Sequence, residues 1–382
     1  VDEYIVIPSF SNPRWLVPAD FKDLGGMINP SSVPAKVALT LFKLLSRFNL
    51  GKLVFPHRIR AFSQNPDTDK SDFQAELLNQ CHQQELGVIY LGSFGPLQKI
   101  SLEFLNNREI SAYGKVASSK LTEQCLVNEK KALDFVNALN LQTIKIPTCD
   151  DVISLSADNL HCLIQSPLAA KEQCTMLSPL LFQALSELYH LSVTCEEEET
   201  PAYLVYLQNQ FDQLNKNKLS DFQLLCHAIA STELQSLASN THQLWLNFSH
   251  GDFTRWNIRV DDDFPYVFDW EEGKMRPVGH DLFHFEMIES VLVRNESATK
   301  DSYQKLLTLI ERQSSLYEGF FHKNEALLRT YLTLYLIELI NVYLWHADFH
   351  SCPSVPDKEN IDQILKYASD LLLIIRELNN DK

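Results

Sequence analysis

The sequence predicts an α+β protein in two unequal parts: a small lobe of antiparallel strands with one helix, then a larger, mainly helical lobe, both behind an N-terminal extension. Three observations carry this reading. Between residues 87 and 118, short apolar-rich runs alternate with turn residues, as in an antiparallel meander. From Ala169 onward helical periodicity dominates, interrupted only between Leu244 and Trp270. The chain has 382 residues, enough for two to three units at roughly 150 residues each. Its 45% hydrophobic and 21% charged residues are those of a folded globular chain rather than a disordered one.

In chain order, residues 1–85 form the extension: a short strand at Tyr4–Ile7, a loop with Pro13, Pro18, Gly25 and Gly26, a helix over Pro34–Phe48 and a polar helix over Ser71–Glu85. They carry no catalytic signature. The small lobe, 86–166, begins with strands Gly87–Phe94, Leu97–Leu105 and Glu109–Ser118. A helix follows, with Leu121, Cys125, Leu126, Leu133, Val136 and Leu139 on one face. Strands Ile144–Ser154 and Leu160–Ile164 then lead to the turn Gln165-Ser166-Pro167. The large lobe, 167–382, contains the apolar run Tyr331–Ala347. That run carries Glu338 and Asn341 and is shorter than the roughly 20 residues of a membrane span, so it reads as a core helix. The four glutamates 196–199 read as solvated surface.

Charge and punctuation exclude several function classes. Lys plus Arg is 33 against 49 Asp plus Glu, a formal charge of −16, which repels phosphate backbones and anionic lipid. Neither nucleic acid nor a membrane is therefore expected as a partner. The eight cysteines include no pair spaced as a zinc knuckle or redox dithiol, and read as reduced, mostly buried thiols. The first residues lack a basic region and a small-residue cleavage site, so a cytoplasmic protein is expected. None of the 11 glycines builds G-x-G-x-x-G or G-x-x-x-x-G-K-[ST], which argues against a Rossmann or Walker-type nucleotide site.

The informative segment is F-S-H-G-D-F-T-R-W-N-I-R-V-D-D-D-F-P-Y-V-F-D-W-E, Phe248 to Glu271. His250-Gly251-Asp252 and then Asn257 lie on a loop between two apolar, strand-like stretches, Leu244–Phe248 and Tyr266–Phe268, and Asp269 closes the second. Phosphoryl transfer from a nucleotide to a hydroxyl needs this set: a carboxylate to receive the hydroxyl and oxygen ligands to hold Mg²⁺ on the phosphates. Mg²⁺ takes an octahedral oxygen shell, often one or two carboxylates plus phosphate. Asn257 and Asp269 suit the metal, leaving Asp252 to accept the proton.

H-G-D-x-x-x-x-N followed by an apolar strand ending in Asp resembles the catalytic and metal-binding segments of the aminoglycoside phosphotransferase family. That family shares a bilobal, protein-kinase-like fold with choline kinases and other small-molecule kinases. The resemblance covers about residues 87–350 and implies ATP or GTP as donor, Mg²⁺ as cofactor and a small hydroxyl compound as acceptor. It makes His250 a residue that holds the catalytic loop. It makes Asp281, in the Asp281-Leu282 pair, a buttress beneath that loop, although an N-cap of the following helix explains an Asp there as well.

In the small lobe the resemblance implies Lys115 on the phosphates and Glu129 as its ion-pair partner, with Lys120 and Glu123 as the competing choices. Gly92-Ser93-Phe94-Gly95 would fold over the phosphates through backbone N–H groups, yet a tight turn alone would also call for such glycines. Gln165 would stand at the crossover between lobes, where backbone meets the adenine. Trp270-Glu271 replaces the Phe-Gly of protein kinases, which points away from protein substrates.

Rival readings remain. His250, Asp252, Asp269 and His280 can be drawn as a dinuclear hydrolase site, but the loop offers too few ligands. His280 with His284, and His346 with His350, have the i, i+4 spacing of a zinc clip without a third ligand, and read as satisfied or surface histidines. A kinase-shaped protein without catalysis, serving as a nucleotide-binding scaffold, is the second class; the complete set of acidic residues argues against it.

Overall fold

The computed structural model describes residues 2–19, 33–46, 53–61, 73–83, 85–92, 97–107, 109–155, 160–167, 172–196, 198–240, 243–261, 263–312, 317, 320–321, 324–349 and 358–380. They fall into two compact units, one of residues 1–134 with 147–171, the other of 135–146 with 172–382.

The first unit is built on one sheet. Its elements are β1 (Asp2–Ser9), β2 (Asn12–Pro18), α1 (Val33–Ser46), β3 (Arg58–Ala61), α2 (Phe73–Gln80), β4 (Glu85–Tyr90), β5 (Ile100–Asn106), β6 (Glu109–Ala117), α3 (Lys120–Ala138), β7 (Ile153–Ser154) and β8 (His161–Gln165). The eight strands run in the order β3-β1-β2-β4-β5-β6-β8-β7, every adjacent pair antiparallel. The expected meander is β4-β5-β6. The N-terminal residues contribute more than the one strand expected of them: β1, β2 and β3 continue the same sheet through the β2–β4 pairing. Pro13 and Pro18 obscured β2, because a proline cannot donate to the ladder and sits at strand ends or irregular positions.

Side chains alternate across the sheet, so neighbouring residues of β8 serve opposite faces. Cys162 and Ile164 join Phe104, Val116, Leu77 of α2 and Cys81 just after it, whereas Leu163 packs with Ala117 and with Leu126 of α3. Each such large apolar side chain contributes about 1.5–3 kcal/mol when fully buried. The expected strand over Ile144–Ser154 is reduced to β7. Lys145 and Cys149 make only isolated bridges, and Pro147 between them lacks the N–H a continuous ladder needs.

The second unit is mainly helical. Its first elements are β9 (Glu172–Gln173), α4 (Pro179–Ser192), α5 (Glu199–Gln213), α6 (Asp221–Asn240), β10 (Leu246–Ser249), β11 (Ile258–Val260), β12 (Pro265–Val267) and β13 (Lys274–Pro277). It continues with α7 (His280–Ile288), a π-helical turn at Glu289–Val293, α8 (Lys300–Arg312), α9 (Glu325–Phe349) and α10 (Lys358–Asn380). Ser178 caps α4, its hydroxyl accepting the Leu181 N–H, and Pro179 fills the first helical position. The β structure forms two small sheets, β10-β13 and β12-β11-β9. Strand β13 was not expected from sequence; its four residues pair with β10, Phe248 facing Met275 and Ser249 facing Lys274. Residues 325–347 of α9 are long and apolar enough to cross a bilayer, but 78% of an apolar 18-residue window within them is buried in the protein, as a core helix requires.

Candidate active site

The first unit presents one cation. Lys115 stands on β6 between Ser101 of β5 and Leu163 of β8, which fixes the start of its side chain. Its Nζ lies 2.6 and 2.7 Å from the two carboxylate oxygens of Glu129 on α3. Glu129 is fully buried and Lys115 nearly so, at 16% side-chain exposure. Gln165 at the end of β8 donates its side-chain N–H to Glu129 Oε1 at 2.8 Å. The partner of Lys115 is thus Glu129, while Glu123 faces His161 at 3.6 Å. The sequence reading assigned Gln165 only a backbone role; its side chain also holds the carboxylate. At Gly92 the backbone has φ +74°, and a Cβ would come within 2.5 Å of the Lys99 carbonyl, so the turn alone requires glycine. Ser93 and Gly95 lie outside the described residues.

The second unit presents the acids on a loop between β10 and β11. His250 is fully buried, and its ring is held at both nitrogens: Nδ1 accepts the Asp252 N–H at 3.2 Å and Nε2 donates to the Phe268 carbonyl at 2.9 Å. Its own N–H donates to Asp281 Oδ2 at 2.7 Å, and the Gly251 N–H to Asp281 Oδ1 at 3.0 Å. Asp281, in the first turn of α7, therefore holds the loop from below through two charge-assisted hydrogen bonds. Burial would push its carboxyl up, but His280, His250 and the Gly251 N–H more than offset this, and it is lowered to about 2. Its buried neighbour His280 is lowered to about 4, by burial first and then by the charge of Arg276.

Gly251 has φ +89°, and a Cβ there would fall within 2.8 Å of three atoms of the Arg276 guanidinium. This is why the motif carries glycine before its aspartate. Arg276, 2% exposed, donates from Nε to Glu338 Oε1 at 2.9 Å and from Nη1 to the Glu272 carbonyl at 2.6 Å. Glu338 also receives Lys274 at 3.0 Å and the Tyr203 hydroxyl at 2.7 Å. Glu338, a buried carboxylate in the apolar middle of α9, is thus the anchor beneath the loop through Arg276.

Asp252 projects from this scaffold with half of its side chain exposed. Its Oδ2 accepts Asn257 Nδ2 at 2.8 Å, and its Oδ1 lies 3.1 Å from His284 Nε2. Burial raises its pKa, but the hydrogen bond from His284 and the neighbouring imidazoles of His284 and His250 outweigh both that and the repulsion of Asp269, so the carboxyl is held below its ordinary range. Asn257 is nearly buried, and its backbone carbonyl accepts the Phe268 N–H at 3.1 Å. Phe268 therefore ties both His250 and Asn257 to the residue before Asp269. Asp269 adopts a left-handed conformation, φ 68° and ψ 56°, which costs a non-glycine residue energy and recurs where a side chain must be aimed. Its carboxylate lies within 4.8 Å of that of Glu271.

These donors fit a hard cation. With Nδ2 of Asn257 committed to Asp252, its oxygen Oδ1 is the atom that could meet a cation, and Asp269 is a carboxylate that could do the same. Sequence reasoning missed two parts of the site. It read His284 as a satisfied or surface histidine, and it had no partner for Glu338. The i, i+4 pair His280/His284 on the helix after the motif was the only signal for the first, and a lone charge in an apolar run the only one for the second.

Residues 128–296 match the phosphotransferase enzyme family. No curated protein matches the chain by sequence. Among solved structures, a thermostable mutant of the aminoglycoside phosphotransferase APH(4)-Ia in its apo form is 12% identical, with a TM-score of 0.53 over 81% of this chain and 99% of that one. A thermostable mutant of the same enzyme in ternary complex with AMP-PNP and hygromycin B is likewise 12% identical, with a TM-score of 0.52 over 81% and 98%. At that identity the likeness is one of fold, and the fold is the α+β, protein-kinase-like one expected from the sequence. The resemblance read from H-G-D-x-x-x-x-N stands, and the matched family segment contains that motif.

Proposed function

Taking residues 128–296 as those of a small-molecule kinase of the phosphotransferase enzyme family, we propose that the chain moves the γ-phosphoryl group of ATP or GTP to a hydroxyl of a small polar molecule. The observation that carries this reading is Asp252: a half-exposed carboxylate, fixed at both oxygens and kept ionised, on a loop whose neighbouring donors suit a cation. Asp252 orients the acceptor hydroxyl and takes its proton as the bond to phosphorus forms. Mg²⁺ on the phosphates, when bound, neutralises the charge that develops during transfer. Asn257 and Asp269 are its ligands, and His250 holds the loop that carries the base. Lys115, kept in place by Glu129 and Gln165, contacts the donor's phosphates.

The acceptor is a sugar, amino sugar, aminoglycoside or amino alcohol. Several carboxylates that could draw a cationic acceptor already have partners: Glu286 with Arg294 at 2.5 Å, Glu272 with Arg276 at 3.7 Å, and Asp261 with the N–H groups of Asp263 and Phe264. This favours an uncharged polyol over a polycation. A panel of sugars, amino sugars, aminoglycosides, amino alcohols and nucleosides, assayed for acceptor-dependent ATP consumption, tests the reading. At least one compound should drive consumption by the wild type and none by Asp252→Asn. If no compound does, and Mg-ATP gives none of the roughly 2.7 kcal/mol of stabilisation expected at 100 times its Kd, the chain is a kinase-shaped scaffold.

A further inference from the structure

His284 lies on α7, four residues after His280, with 5% of its surface exposed. Its ring joins two groups from different elements. Nε2 is 3.1 Å from Asp252 Oδ1, and Nδ1 is 3.3 Å from the hydroxyl of Tyr335 on α9. The ring also stacks nearly parallel on His280 at 6.0 Å, and Tyr335 stands edge-on to both histidines. A carboxylate oxygen only accepts, so Nε2 must carry hydrogen. The buried Tyr335 hydroxyl, 1% exposed as a residue, then donates to Nδ1 and fixes the ring in the Nε2–H tautomer.

We propose that His284 is a positioning residue for phosphoryl transfer: it holds Oδ1 of Asp252 while Asn257 holds Oδ2, so that the carboxylate plane is fixed before the acceptor arrives. The inference rests on the reading of Asp252 as the group that accepts the hydroxyl proton. Aspartate has two soft side-chain torsions, and Asn257 alone constrains only one oxygen. A base displaced by about 1 Å can cost up to about 10²-fold in rate. Tyr335 acts one step further back, through the ring.

The test uses the full chain with Mg-ATP as the probe and water as acceptor, read as phosphate release. Asp252→Asn, His284→Ala, His284→Gln and Tyr335→Phe are compared with wild type for kcat, for KM of ATP and for the unfolding midpoint. We expect His284→Ala to lower kcat about 10- to 10²-fold with KM of ATP unchanged. His284→Gln, whose amide N–H reaches the same oxygen, should restore most of the loss, and Tyr335→Phe should cost a few-fold.

If Asp252→Asn abolishes turnover while His284→Ala keeps the wild-type kcat, the inference fails and the reading of Asp252 stands. It also fails if folded His284→Gln is no better than His284→Ala. If turnover is insensitive to Asp252→Asn, the reading fails and takes the inference with it. Independently of activity, long-range ¹H–¹⁵N correlation of the imidazoles, assigned with His284→Gln, should show the Nε2–H tautomer at His284; the Nδ1–H tautomer would overturn the inference.

Discussion

The two units hold their functional charges in different ways. In the first, the Lys115 ammonium meets the buried Glu129 carboxylate, which Gln165 also holds. In the second, groups share several partners: His250 has bonds to Phe268, Asp252 and Asp281, and Asp252 has bonds to Asn257 and His284. A single ion pair concentrates its cost in one contact, since a stranded buried charge has nowhere to go. A network spreads the loss, and holds the half-exposed Asp252 carboxylate in place without burying it.

The largest effect should come at the reactive group itself. Asp252→Ala is expected to lower kcat on the order of 10²- to 10⁴-fold with nucleotide affinity kept, measured by steady-state kinetics and calorimetry. The concentrated pair comes next. Lys115→Met strands Glu129 and should destabilise the fold by about 3–5 kcal/mol, seen as a lower urea midpoint, whereas Lys115→Met combined with Glu129→Leu should recover much of that loss. In the network, Asp281→Asn leaves an amide oxygen for one N–H and should cost less, about 1–3 kcal/mol. Equal losses for Asp281→Asn and Lys115→Met would erase the contrast between the units.

A further effect is in pH. His280 is lowered to about 4 in the fold, so its contribution is fully present above the unfolded value of about 6.5 and is lost as pH falls from there towards 4. Asp281, lowered to about 2, adds a second loss in the same direction, between about 3.9 and 2. Urea midpoints should therefore decline on acidification below pH 6.5, and His280→Gln should remove the upper part of that slope. A flat profile in the wild type between pH 6.5 and 4 would mean that the imidazole is not held neutral by its surroundings.

What could be read from the sequence divides along the same line. The acidic set was legible because its chemistry fixes residue types at short spacing along one segment, from His250 to Asp269. Lys115 and Glu129 came from the family resemblance, which puts a lysine on a strand of the small lobe and a glutamate on the helix that follows. What supports them was not legible, because it comes from far along the chain: Arg276 on Gly251, Glu338 on Arg276, and His284 on Asp252 are contacts made only once α7 and α9 have packed. The strand over 144–154 was overread because an apolar run containing Pro147 cannot keep a ladder. Strands β2 and β13 were missed because their prolines and short lengths hide the period of two.

The central claim is that Asp269 and Asn257 hold a metal that carries the nucleotide past Asp252. Titration calorimetry with AMP-PNP, in Mg²⁺ and in excess chelator, addresses it directly. Binding by the wild type should require Mg²⁺, weaken at least about tenfold in Asp269→Asn and stay unchanged in Asp252→Asn, a tenfold loss being about 1.4 kcal/mol. Wild-type affinity retained in Asp269→Asn, or binding indifferent to Mg²⁺, would contradict it.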